Sequence, residues 1–173
     1  MGQILDKVIQ FFEQDNWQFS LLEGEQALQT AFSSDQGNWM CFAQAIEDEA
    51  TTRFFFYSVC PIKAQENKQA VVEFITRANY GLSIGNFEFD FFDGEVRFKT
   101  SLDITEDGFG LAIIERLVYT NVLMMDRYLP GLMAVIAGRT IPEEAIRVIE
   151  DGSQSIEEKN SSEKRSGDIL EIV

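Results

Sequence analysis

The side chains able to do chemistry are few, and most of them are answered by a neighbour. Glu88 and Asp90 stand two apart, so on a strand their carboxylates share a face, and paired acids can act as general acid and base. Arg97 and Lys99 oppose them across a hairpin turning at Asp93-Gly94, with Asp90 facing Arg97 and Glu88 facing Lys99. Opposed cations lower both carboxyl pKa values and leave neither a good acid, so an exposed ion-pair ladder is the better reading. Cys41 and Cys60 face each other if the turn between their strands is Glu49 to Thr52, which would make a redox pair; small buried thiols are commoner. Asp103-Ile104-Thr105-Glu106-Asp107-Gly108 follows the opening of a calcium loop. Its twelfth position is Ile114, where a bidentate Glu belongs, and a strand-to-helix turn explains the segment better. Glu47-Asp48-Glu49 reads as a solvated turn before it reads as a cation site. Gly81-Leu82-Ser83-Ile84-Gly85 lacks the Lys and Ser/Thr of a phosphate loop. No catalytic residue, metal site or cofactor is expected.

What is missing narrows the function further. Histidine is absent from the 173 residues, which removes the commonest general base and the Ser-His and Cys-His nucleophile pairs. Fourteen Lys and Arg against 29 Asp and Glu leave a net charge of −15. A chain this acidic is a poor partner for nucleic acid or anionic lipid, because phosphate neutralisation needs clustered cations. No run of about 18 apolar residues predicts a membrane span. The first 25 residues carry acids at 6, 13 and 15 rather than a basic, apolar leader. Two cysteines make no disulfide framework, so a cytoplasmic, reducing location is expected. The expectation is a non-enzyme.

The elements that must position these residues follow from spacing. Leu5, Val8, Ile9 and Phe12 predict an amphipathic helix over 2–15, ended by Asn16. Strands are predicted near 27–33, 39–47 and 53–60. Residues 17–22 read as another short strand or as a lead-in. Arg53 to Cys60 is apolar on both faces, which predicts a central strand covered on both sides. A second helix is predicted over 64–79. The hairpin 84–103 pairs Phe91 with Val96, Phe89 with Phe98 and Phe87 with Thr100. A long helix is expected over 107–129, with Thr105 as N-cap and a kink or break at Pro130-Gly131. Thr140-Ile141-Pro142-Glu143 opens a last helix to Glu150. The expected organisation is one domain over 1–150 and a flexible acidic tail over 151–173, whose apolar end, Ile169 to Val173, has only the bare pattern of a docking peptide.

The long helix carries an apolar stripe wider than one sheet contact needs. Either it is buried deeply within one subunit, or it offers a second face to another subunit or client. On the second reading the candidate protein-binding or dimer surface is Leu117, Asn121, Met124, Met125, Tyr128 and Met133, with the methionines supplying adaptability.

Several stretches resemble one family. These are Ala78-Asn79-Tyr80-Gly81 leading into Gly85-Asn86-Phe87-Glu88-Phe89-Asp90, the Asp93-Gly94-Glu95-Val96-Arg97-Phe98 hairpin, Asp126-Arg127-Tyr128-Leu129-Pro130-Gly131-Leu132 continuing to Gly138, and Pro142-Glu143-Glu144-Ala145. Together, over roughly residues 3–150, they resemble YbjN, a family of sensory transduction regulators with a type III secretion chaperone-like fold. The resemblance implies an α+β fold: an antiparallel five-stranded sheet with helices packed on it, in the order α-βββ-α-ββ-α, often as a homodimer and without enzyme activity. In chaperones of this fold apolar patches hold an extended segment of a client. The expected function is therefore a chaperone-like or regulatory protein-binding module, a homodimer with an unidentified protein client. The alternative is a signalling regulator responsive to a small molecule or metal.

Overall fold

The structure, a computed structural model, describes residues 3–48, 52–104 and 110–152. Helix α1 (Gln3–Gln14) forms where the apolar spacing predicts, and buries Ile4, Leu5, Val8, Phe11 and Phe12. Asn16 ends it in the left-handed region, φ 59°, and the Trp17 N–H donates back to the Phe12 carbonyl at 2.8 Å. That turn stacks the Trp17 ring on Phe12, 5.2 Å between centroids.

Six strands follow in one open antiparallel sheet: β1 (Phe19–Leu21), β2 (Ala27–Ser34), β3 (Gly37–Glu47), β4 (Thr52–Val59), β5 (Asn86–Phe89) and β6 (Val96–Asp103). Their spatial order is β1-β2-β3-β4-β6-β5. The count is six rather than five because Phe19–Leu21 pairs with Thr30–Leu28 on the far edge. The three-residue edge is too short to be told from a lead-in by alternation alone.

Both long hairpins are registered two residues away from the expected pairing. Cys41 faces Ser58, and Phe87, Glu88 and Phe89 face Phe98, Arg97 and Val96. A two-residue slip leaves every side chain on its expected face, so the alternation could not reveal it.

Helix α2 (Lys68–Gly81) starts four residues later than expected. The reason lies in residues 64–67, which brace the β5–β6 loop: the Ala64 N–H donates to the Gly94 carbonyl at 2.8 Å and Gln65 Nε2 to the Asp93 carbonyl at 2.9 Å. Helix α3 (Leu111–Ile136) runs through Pro130 rather than ending there. Its neighbour Gly131 allows the close approach of other helices; a Cβ there would lie 2.7 Å from Ile149 Cδ1 and 3.3 Å from Phe74 Cε2. The chain is helical again over 142–152, here α4. Thr140 donates its hydroxyl to the Ile141 carbonyl at 3.5 Å instead of capping this helix. Residues 105–109, with the proposed N-cap and most of the calcium-like segment, lie outside the described residues, as do Glu49 and residues 153–173.

The helices share one side of the sheet. α1 packs on β3 and α3, α2 on β5 and α3, and α3 lies across β4 and β6. The core between them is aromatic, with Phe12, Phe54, Phe56, Phe74 and Phe98 fully buried. Each such side chain contributes about 2–3 kcal/mol through lost water contact.

Candidate functional site: the uncovered face of the sheet

Strand alternation sends Trp39, Cys41, Ala43 and Ala45 of β3 and Phe54, Phe56 and Ser58 of β4 into the core. The intervening residues point to the other side. There Met40 is paired with Val59, Phe42 with Tyr57, and Gln44 with Phe55. Among the described residues no helix lies over this side, and Met40, Phe42, Ile46, Phe55, Tyr57 and Val59 all keep solvent contact. The sequence-based expectation of a strand covered on both faces is corrected: β4 is central, but only one of its apolar faces is covered. The apolar run signals a face that wants cover without saying who supplies it.

The exposed face is ordered. The Phe55 and Tyr57 rings, two apart on the strand and so on one face, lie parallel with centroids 6.1 Å apart. The Arg97 guanidinium sits 4.5 Å from the Tyr57 ring centre. Burial pushes the Tyr57 hydroxyl pKa up, against the pull of Arg97. Two adjoining grooves, each about 430 Å³, share Met40 and Val59 as a common wall. One runs past Ala31, Pro61 and Lys63; the other past Ala27, Phe42, Tyr57 and Arg97.

A charge clamp closes the β6 side. Glu88 accepts from Arg97 Nε at 2.8 Å and forms an ion pair with Lys99. Partial burial alone would raise the Glu88 pKa, but the hydrogen bonds and charges of Lys99 and Arg97 outweigh it and hold the carboxyl below its ordinary range. Asp90 is not the second rung of this ladder. It has left the strand, and its Oδ1 accepts the Phe92 N–H at 2.7 Å within the turn. The expected acid pair is thereby split.

The surface expected on the long helix is corrected as well. Leu117, Asn121, Met125 and Tyr128 are buried inside the subunit, while Met124 and Met133 are half-buried against the same core. The stripe is wide because α3 meets the sheet, α1 and α2, with Gly131 set against Ile149 of α4, so it needs more than one apolar face within a single chain. Asn121 is a structural cleat: its Nδ2 donates to the carbonyls of Phe56 at 2.8 Å and Phe98 at 3.1 Å.

Cys41 does not face Cys60. The register puts Ser58 opposite Cys41, 3.4 Å from its Sγ, and Trp39 Nε1 donates to the same hydroxyl at 3.0 Å. Burial pushes the Cys41 thiol up to about 12 and Cys60 up to about 11, which removes thiolate chemistry at neutral pH. Glu47 serves structure too, its Oε1 accepting the Ile4 N–H at 3.0 Å at the start of α1. Among the described residues no group of three or more Cys, Asp or Glu is placed to hold a metal ion. No helix among them is long and apolar enough to cross a membrane.

A family model matches residues 5–133, about three-quarters of the chain. The chain belongs to the YbjN family. The family is described as a putative bacterial sensory transduction regulator. No curated protein matches the chain. The YbjN match spans all six strands and stops three residues before the end of α3, so the uncovered face lies wholly within the family region and α4 outside it.

Proposed function

We propose that this YbjN chain is a non-enzymatic, protein-binding regulatory module that works as a homodimer and holds an apolar segment of a client on the uncovered face of its sheet, in the manner of a type III secretion chaperone. The observation that carries the reading is the row Met40–Val59, Phe42–Tyr57 and Phe55 on neighbouring strands, apolar and solvent-facing, with ordered rings. Its chemistry suits side chains with apolar tips and offers no nucleophile or poised base. The net charge of −15 draws basic clients toward the chain as a whole and suits a cytoplasmic binder of cationic segments.

A photo-crosslinking amino acid placed at Phe42 or Phe55 in cells tests this. The expected result is a small set of discrete adducts that are absent with the crosslinker at Leu123, an exposed α3 position away from the sheet. Loss of those adducts in a folded Tyr57→Lys chain completes the case. Adducts that survive Tyr57→Lys, or that form equally from Leu123, would sink it.

A ligand-responsive regulator is the second reading, favoured by groove volumes of about 430 Å³, which fall in the range that admits a metabolite. A thermal-shift screen with common metabolites separates the two, since a saturating shift abolished by Tyr57→Lys would move this reading ahead.

A further inference from the structure

Four residues from separate parts of the chain meet at the β1 edge of the sheet: Asp15 just past α1, Trp17 ahead of β1, Phe32 on β2 and Tyr119 on α3. Asn16, at φ 59°, turns the chain so that the Trp17 ring stacks on Phe12 at 5.2 Å and 10°. Phe12 takes one face of the indole, and the half-buried ring turns its other face to water. The β1–β2 register, continued two residues past Phe19–Thr30, brings Trp17 opposite Phe32. Phe32 is tilted against the indole at 32°, 5.8 Å between centroids, and Tyr119 stands edge-on to it at 73° and 6.1 Å. The three rings wall an open cup of about 340 Å³.

The cup is electronegative. Trp17 Nε1–H donates to Asp15 Oδ2 at 2.8 Å, and the Tyr119 hydroxyl donates to the same oxygen. Both donors are neutral; the bond to Asp15, together with burial, raises the Tyr119 pKa and keeps its proton in place. Asp15 is thereby fixed with its charge intact, and among the described residues it joins none of the ion pairs. Helix α1 ends at the same spot, and a helix C-terminus carries about half a negative charge. Its last turn holds Glu13 and no basic residue.

We infer that this cup binds a quaternary ammonium group carried by a small free solute. Aromatic faces beside a fixed negative charge attract a weakly hydrated cation. A guanidinium or primary ammonium needs acceptors aimed at its N–H groups; Oδ2 already accepts two bonds and the rings offer none, so a cation without N–H fits better. The rim, Asn16, Gln18, Ala31 and Ser33, is polar or small and gives acyl chains or flanking peptide residues little to hold. The cup shares no residue with the client row of Met40, Phe42 and Tyr57, so it stands independently of that reading.

Fluorescence titration of the full chain with choline tests it, since Trp17 is one of two tryptophans and the other, Trp39, is buried. Neohexanol, the uncharged isostere of choline, is titrated against the parent, and choline against Asp15→Asn and Glu143→Gln. Asparagine keeps an acceptor for both donors and removes the charge; Glu143, exposed on α4, gives up the same charge elsewhere. The expected result is a saturable change in emission with choline for the parent and Glu143→Gln. Binding should be at least about tenfold weaker for neohexanol and for Asp15→Asn at unchanged near-UV circular dichroism. Should Asp15→Asn disturb the fold, the isostere on the parent decides alone. No saturable change with choline overturns the site. Equal binding of neohexanol, a folded Asp15→Asn that is not weakened, or equal weakening by Glu143→Gln overturns it as a cation site. Phosphatidylcholine vesicles or a trimethyllysine peptide binding at least about tenfold tighter than choline would move the same chemistry to a lipid or protein and overturn the free solute.

Discussion

Asn121 on α3 ties β4 to β6. Its Nδ2 donates to the Phe56 carbonyl of one strand at 2.8 Å and to the Phe98 carbonyl of the other at 3.1 Å, while Thr100 donates to the Leu117 carbonyl one helical turn away at 3.0 Å. Asn121 is fully buried, so these bonds set where the helix sits along the sheet. Two neutral hydrogen bonds contribute about 1 kcal/mol each, partly offset by the buried Asn121 Oδ1, which has no partner among the described residues.

Asn121→Asp follows directly. The substitution turns a donor into an anion aimed at two carbonyl oxygens, and should cost more than about 3 kcal/mol in urea denaturation at neutral pH. Burial and the two carbonyls raise the folded-state pKa of the introduced carboxyl above its unfolded value of about 4. The deficit should therefore be small in acid and grow as pH rises. Asn121→Ala should cost less, about 1–2 kcal/mol, with little pH dependence.

The thiols should be inert in the native state. With Cys41 at about 12 and Cys60 at about 11, a colourimetric thiol reagent at pH 8 should label neither, and should label both in denaturant. Oxidant should produce no intramolecular disulfide, since Cys41 is paired with Ser58 and Cys60 follows two residues later, past the end of β4, rather than opposite Cys41. Both folded pKa values lie above the unfolded value of about 8.5, so burying the thiols leaves stability unaffected by pH below that value and costs stability progressively as pH rises from it toward the folded values.

Glu88 should show the opposite sign. Its folded pKa is depressed below an unfolded value of about 4.3, so its ion pairs stabilise above that value and are lost as pH falls through the folded one. Glu88→Gln should flatten the acid limb of the pH–stability curve and leave its alkaline side nearly parallel to the parent. The difference should shrink in high salt, because the clamp is only partly buried.

The loop frame predicts an asymmetry between two glycines of the same φ. Gly94 stands at φ 77° and a Cβ there would lie 2.3 Å from the Ala64 carbonyl oxygen; Gly24 stands at φ 79° with open space around it. Gly24→Ala should cost about 1 kcal/mol, from backbone strain alone. Gly94→Ala should cost more than about 3 kcal/mol by thermal or urea denaturation, because the backbone of residues 64–67 must move with it.

Much of this molecule is local enough to be read directly. The spacing of Leu5, Val8 and Phe12 commits α1 to a helix, and the alternation of Phe87 and Phe89 against Val96 and Phe98 commits β5 and β6 to one buried face, whatever lies around them. The charge and the absence of histidine likewise belong to composition. Three matters were decided only by the folded chain. Hairpin register depends on the loop, and the turn Phe91-Phe92-Asp93-Gly94 closes on Asp90 because residues 64–67 offer it partners from a distant part of the chain. The width of the α3 stripe has two readings in sequence, and how many helices surround α3 selects burial over display for Leu117, Asn121, Met125 and Tyr128. Finally, Phe54 and Phe55 look alike in a strand apolar on both sides. The helices cover only one side, so Phe54 became core and Phe55 became surface, and covering is a property of tertiary arrangement that neither residue type nor period encodes.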